Sequence, residues 1–415
     1  MNNIVQELKK SLITSLWFVF LTFPIMVIKV NTVDNIINWR WGNMIMIAVL
    51  SFFLSYLWRY MLHKKNRGEK IFDFSKVIPS KIYDFSLRDK LTNKKFSRPF
   101  YTVVLLLALA YPFLSGMYQT NIMTTALMYV ILGLGLNIVI GLGGMLHLGY
   151  AAFYMIGAYT YAILNQNFGV SFWIALPLGA VIAMVFGILL GFPVLRLKGD
   201  YLAIVTLGFA EIVRIVMENW NDFSSGPSGI ANIPRPDFFG MKLSLQHATI
   251  YLYLITLALV LFTIFVVRRL ENSRLGRAWE AMREDAIASE SMGVNITTTK
   301  LTAFALGAFW AGMVGVIFAG KTTFVNPASF TLLESVLILC IVVLGGMGST
   351  TGVIVGAMII VLLPEYLRAF SEYRMLIYGG ILVLMMVFRP NGIIQKVRKR
   401  HTFSVDDDTA GADNE

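Results

Sequence analysis

The chain has 415 residues, 57% of them hydrophobic and only 14% charged, with mean hydropathy +0.68. Soluble domains run nearer about 45–50% apolar and about 25% charged, so a soluble globular domain is excluded and the fold class is an all-α polytopic membrane protein. The net charge of +11 then belongs to loops on the cytoplasmic face, and no interleaving of basic and aromatic residues of the nucleic-acid type accompanies it.

A Lys9-Lys10 start leads into an apolar run. No small-x-small cleavage site follows and a second run comes at once, so the segment is read as an uncleaved first helix. Apolar runs of span length then recur near 11–30, 42–62, 100–117, 121–141, 149–165, 172–194, 201–219, 249–268, 301–320, 330–345, 351–369 and 374–388, giving about twelve transmembrane helices. With the N-terminus in the cytoplasm, the inner loops hold 26 of the 35 Lys and Arg and the outer loops 7, an asymmetry that supports both the parity and cytoplasmic placement of the two termini.

The sequence divides into an N-terminal pair of spans (1–62), a basic loop (63–98), a ten-span core (99–390) and a tail (391–415) that lacks an apolar pattern and reads as disordered. The loop 63–98 carries eleven Lys and Arg and suits contact with anionic membrane lipid.

Within the core, Gly187/Gly191, Gly352/Gly356, Ala308/Gly312 and Ala311/Gly315 form small-xxx-small steps, which let helices approach closely in lipid. Two glycine clusters, Gly141-Leu-Gly143-Gly144-Met145 and Leu344-Gly345-Gly346-Met-Gly348, each end a span. They predict irregular backbone that is packed against protein or lines a cavity. With Gly149 they are the expected lining of a translocation path: Gly141, Gly143, Gly144, Gly149, Gly345 and Gly346. Glu211 and Arg214, three apart in the run 201–219, form an expected intramembrane pair that satisfies itself. The loop 220–248 holds the turn chemistry of Ser224-Ser-Gly-Pro-Ser-Gly229 and reads as a platform or a linker.

The segment 274–294 is the charged loop of the second half. Trp279, Met282 and Ala286 share one helical face, Arg277, Glu280, Arg283 and Glu284 project from the other, and Gly293 suits a left-handed helix end. This predicts one amphipathic helix over 277–293, within a cytoplasmic loop 269–300. The pattern leaves two meanings open, a docking helix for a cytosolic partner or a solvated hairpin between spans.

Gly315-Val-Ile-Phe-Ala-Gly320-Lys321-Thr322 matches the phosphate-loop pattern letter for letter. It lies inside an apolar run, where a helix already uses the backbone N–H groups that a phosphate would need, so nucleotide binding is excluded there. The single cysteine, Cys340, and the scattered His63, His147, His247 and His401 give neither a disulfide nor a metal site, and no cofactor is expected on this chain.

Several stretches together carry a resemblance. GLGLNIVIGLGGMLHLGYAAFYMIGAY (133–159), VLRLKGDYLAIVTLGFAEIVRIV (194–216), SGPSGI (225–230), the 274–294 loop, VVLGGMGS (342–349) and FRPNGI (388–393) stand in order at sensible spacing. The chain resembles the M-type permeases of bacterial branched-chain amino acid ABC importers, and the extra N-terminal spans resemble the family's longer form. The resemblance implies a non-enzymatic subunit with a ten-helix type II-like core. It further implies a homologous H-type permease, two cytosolic ATPases that carry ATP and magnesium, and a periplasmic amino-acid-binding protein. It maps the family's ATPase-coupling loop onto Trp279, Glu280, Ala281, Met282, Arg283, Glu284 and Asp285, with its glycine at Gly293 and Arg277 alongside. Met282 departs from the general importer pattern, where alanine is usual. A related permease for urea or short amides, or an ion-coupled carrier, are the alternatives.

Overall fold

The computed structural model describes residues 94–194, 199–237, 244–370 and 376–380, most of 10–56, and 197, 382–383 and 392–394. Most of the basic loop 63–98, much of the expected last span and nearly all of the tail lie outside the described residues. The chain divides into two units, Met1–Thr102 and Val103–Glu415.

In the first unit an antiparallel hairpin, β1 (Ile28–Asn31) and β2 (Ile36–Trp39), pairs Ile28 with Trp39 and Asn31 with Ile36. Helical residues 10–17 and Met44–Phe53 are tied by Ser15, whose hydroxyl donates to the Ala48 carbonyl at 2.7 Å and lies 3.0 Å from the Ser51 hydroxyl. Hydroxyl-to-backbone bonds of this kind join helices where no hydrophobic drive exists between them.

The bundle is built from α1 (Lys94–Leu114), α2 (Met117–Asn137), α3 (Tyr150–Phe168), α4 (Phe172–Val194) and α5 (Asp200–Asn219). A short α6 (Asn221–Ser224) and a strand β3 (Ile230–Ala231) precede α7 (Leu245–Glu271). Then come α8 (Arg274–Glu284), α9 (Ala286–Ser291), α10 (Ile296–Thr322), β4 (Phe324–Val325), α11 (Leu332–Gly345) and α12 (Thr350–Tyr366). Among the described residues, five helical stretches are long and apolar enough to cross a membrane: Met117–Leu142, Phe172–Pro193, Leu245–Glu271, Ile296–Thr322 and Pro327–Gly345. Exposed Leu106, Phe192 and Phe265 lie on outward faces, an arrangement that suits lipid and would aggregate in water.

α10 is the central element, packed along α4, α3 and α2. The small-residue steps make this possible. A Cβ on Gly312 would stand 2.4 Å from the Ala183 methyl of α4, and one on Gly187 would stand 2.7 Å from the Ala308 methyl. The bundle is therefore held by backbone proximity and dispersion, the forces left when lipid is the solvent.

The loop 220–237 is a built platform. β3 pairs antiparallel with β4, Ile233 N–H donates to the Thr323 carbonyl at 3.1 Å, and Tyr161 Oη donates to the Pro234 carbonyl at 2.8 Å. The phosphate-loop look-alike lies within α10, and Lys321 donates to the Thr125 hydroxyl of α2.

Candidate functional site

The loop after α7 folds because its residues cap it. Ser273 at the N-cap accepts from the Gly276 N–H at 3.3 Å. Gly276 lies so close to the end of α7 that a Cβ would stand 2.3 Å from the Leu270 carbonyl oxygen. α8 then runs eleven residues. Trp279 is fully buried, Met282 is buried, and the indole N–H donates to the Thr299 carbonyl of α10 at 2.9 Å.

The single helix expected over 277–293 is two helices. Asp285 leaves helical geometry at φ −154°, ψ 110°, and its carboxylate accepts from Ile287 N–H at 2.9 Å and Ala288 N–H at 3.0 Å. An aspartate that caps a new helix inside a helical pattern ends the old one, because its side chain replaces the missing intrahelical acceptors. Ala286 is thus separated from the Trp279–Met282 face and is only half-buried. α9 ends at Gly293, where φ is +87° and the N–H donates to the Glu290 carbonyl at 2.9 Å. Glycine meets this left-handed geometry without the penalty that a Cβ carries.

The two glycine clusters meet. The last turn of α2 widens into a π-turn over Ile138–Leu142, with Gly143 N–H bonded to the Ile138 carbonyl at 3.0 Å. Buried Asn137 accepts from Gly348 N–H at 2.8 Å. Arg283 of α8 donates to the Gly141 carbonyl at 2.5 Å, and its side chain covers Gly144, where a Cβ would stand 2.6 Å from Arg283 Cγ. Gly345 presses on α12, 2.4 Å from its missing Cβ to the Gly352 carbonyl, and Gly346 holds φ +117°. Gly143 lies over the Val139 carbonyl. These glycines set backbone against backbone, and the Arg283 guanidinium ties α8 to the bundle at that point.

Gly149 lies apart, its missing Cβ 1.9 Å from the Thr206 carbonyl of α5. It precedes a helix that begins among other helices. Leu148 N–H donates to Thr206 Oγ1 at 3.1 Å, Ala151 N–H donates to Ser335 Oγ of α11 at 2.9 Å, and Tyr150 Oη donates to the Gly307 carbonyl at 2.8 Å. Side chains of α5 and α11 thereby satisfy N–H groups that a helix start leaves open, as a site surrounded by lipid-embedded helices requires.

Glu211 and Arg214 do pair, at 2.8 Å, but a third member joins them: Glu218 accepts from Arg214 at 2.7 Å. Arg214 holds both carboxylates while about a quarter of its side chain stays exposed. Arg214→Ala leaves Glu211 and Glu218 without their cation and should lower the melting temperature of the purified protein, whereas Arg214→Lys, which keeps the charge, should lose less.

The outward residues of the loop escaped the pattern. Leu275, Ile287 and Met292 are exposed large apolar side chains around α8 and α9. Arg277, Ala281, Glu284 and Asp285 are exposed, Glu280 is half-buried, and Arg277 also reaches the Asn272 carbonyl at 3.4 Å. α8 therefore presents an inner face that locks onto α10 and the π-turn, and an outer face that mixes charge with exposed hydrophobes. Such a surface is what a partner protein buries.

A family model described as "Branched-chain amino acid transport system / permease component" matches residues 118–386. The permease protein LivM of the high-affinity branched-chain amino acid transport system of Escherichia coli is 44% identical over 389 residues, covering 89% of this chain and 88% of that protein. LivM of Salmonella typhimurium is 44% identical over 382 residues, 87% of each. The companion permease LivH of Escherichia coli is 24% identical over 302 residues, 68% of this chain and 95% of LivH. No solved structure matches. With the match running from α2 to beyond α12, across the bundle and the loop that α8 and α9 form, the chain belongs to the family of branched-chain amino acid transport permeases.

Proposed function

We propose that the chain is the membrane subunit of an ATP-driven importer that carries leucine, isoleucine or valine from periplasm to cytoplasm. It spans the inner membrane about twelve times, with both termini cytoplasmic, as the Lys and Arg asymmetry supports. It works beside a homologous H-type permease, two cytosolic ATPases that bind ATP and magnesium, and a periplasmic amino-acid-binding protein. The catalytic step belongs to the ATPases, and this chain converts their closure into helix movement.

The observation that carries this reading is the two-faced α8. Its inner face is latched to α10 by Trp279 and to the π-turn by Arg283. Its outer surroundings, Leu275, Ile287 and Met292 with Arg277 and Glu284, are open. A force applied there reaches the bundle through these contacts, the buried Met282 and the short link to α7. Each partner must favour one state of the bundle, because an equilibrium shifts only through differential affinity.

Ile287→Asp and Met292→Asp test it in the complex reconstituted with its ATPases and binding protein. Neither side chain supports the fold, so insertion should be unchanged, while loss of buried contact area should lower ATP-driven leucine uptake at least about tenfold. Undiminished uptake in both variants refutes the docking role.

A further inference from the structure

Two opposite charges stand near each other in the bundle without meeting. Thr125 and Tyr129 lie one turn apart on α2, about 6 Å along its axis. Lys321, at the end of α10, donates to the Thr125 hydroxyl. Tyr129 donates to the carboxylate of Glu334, in the first turn of α11. No ion pair joins Lys321 to Glu334 among the described residues, and all four side chains are only partly buried in this chain. Each charge thus has a neutral hydroxyl for a neighbour and spare capacity: an ammonium has three donors, and a carboxylate has about four acceptor sites.

A charge held among apolar helix ends without an opposite charge is costly, and two such charges kept apart call for a ligand that brings the complement of each. Beside them, Tyr154, Phe318 and Phe330 form a mutual edge-on cluster with ring centroids 5.0 to 5.5 Å apart. Phe330 is buried and Phe318 half-buried. Cation, anion and apolar surface stand together.

We propose that Lys321 and Glu334 bind the two charged ends of a free α-amino acid zwitterion during its passage. The carboxylate would lie on Lys321 and the ammonium on Glu334, with the branched side chain toward Phe318. Thr125 and Tyr129 hold the two charges on neighbouring turns of α2, so a molecule with a cationic and an anionic end can engage both. This inference rests on the importer reading and adds to it a site on the permease, independent of the selection made by a binding protein.

The test uses the complete complex in vesicles of phosphatidylcholine and phosphatidylglycerol. Lys321→Gln and Glu334→Gln should each reduce leucine uptake at least about tenfold, the scale of one lost charge-assisted hydrogen bond, while ATP hydrolysis stimulated by the loaded binding protein stays within about twofold. Unchanged uptake in both variants overturns the proposal. Should a variant fail to assemble, the parent complex decides. Tritiated leucine bound without the binding protein should be displaced by leucine at least about tenfold better than by leucinamide, which lacks the carboxylate, or 4-methylpentanoate, which lacks the ammonium. Equal displacement by either analogue overturns the proposal. A parent complex that takes up no leucine at all fails the importer reading first, and this site with it.

Discussion

Trp279→Ala should uncouple the machine: the protein inserts, ATP is hydrolysed, and leucine uptake is lost. The indole is fully buried and its N–H bonds the Thr299 carbonyl at 2.9 Å. Removing a buried tryptophan side chain costs about 3–5 kcal/mol through lost contact and the cavity left behind. The eleven residues of α8 cannot absorb that loss, because isolated helices shorter than about 12–15 residues are marginal. What then holds its inner face is the Arg283 bond to the Gly141 carbonyl and the buried Met282, with Gly276 against the end of α7. α8 would detach from α10 while the bundle, packed through α10, α4 and α3, stays intact. Trypsin added to inside-out vesicles should then cut at Arg274, Arg277 or Arg283 much faster than in the parent. Trp279→Phe, which keeps most of the volume and loses the hydrogen bond, should lose only about 1 kcal/mol and retain partial uptake. Parental uptake together with parental trypsin resistance in Trp279→Ala would show that the latch transmits nothing.

Much of the bundle was legible because membrane spans announce themselves by length and apolarity, and glycine steps announce close packing. The position of the loop and its Gly293 ending could be read directly. Three things could not. Asp285 breaks the helix, and an aspartate inside a helical pattern looks the same whether it faces solvent or caps a new turn, since only the backbone decides which N–H groups it receives. The face carrying Trp279 and Met282 packs on the chain's own α10; amphipathicity says that a face is covered and not by what. The start of α3 among other helices was hidden because 149–165 reads as an ordinary apolar run, and the hydroxyls that cap it come from Thr206 and Ser335, far away in sequence. The charges divide in the same way. Glu211 and Arg214 are a local pair visible in the sequence, whereas Lys321 and Glu334 reach neighbouring turns of α2 only by folding.

Asn137→Ala should loosen the junction of the two glycine clusters, and its combination with Gly141→Ala should expose the coupling between them. The Asn137 carboxamide, 1% exposed, is the acceptor for Gly348 N–H, so its removal leaves a buried donor unpaired, at about 1–3 kcal/mol. Gly141→Ala strikes the same group from the other side. Its Cβ would stand 2.0 Å from Asn137 Oδ1 and 2.5 Å from Gly348 N, so the carboxamide must leave or the backbones must part. Overpacking of this kind costs about 1–3 kcal/mol. Because both substitutions break one bond, the double variant should lose less than the sum of the two, the mark of residues that act through a shared partner. Gly208→Ala supplies the contrast within the same family of changes. Gly208 lies inside α5 with nothing within 4 Å of its missing Cβ, so alanine there should stabilise by about 0.5–1 kcal/mol through helix propensity alone. Melting of the purified complex reads all four variants. Opposite signs at positions 141 and 208 would locate the function of the first glycine in the space it leaves, and equal signs would reduce both to propensity and remove the clusters' special standing.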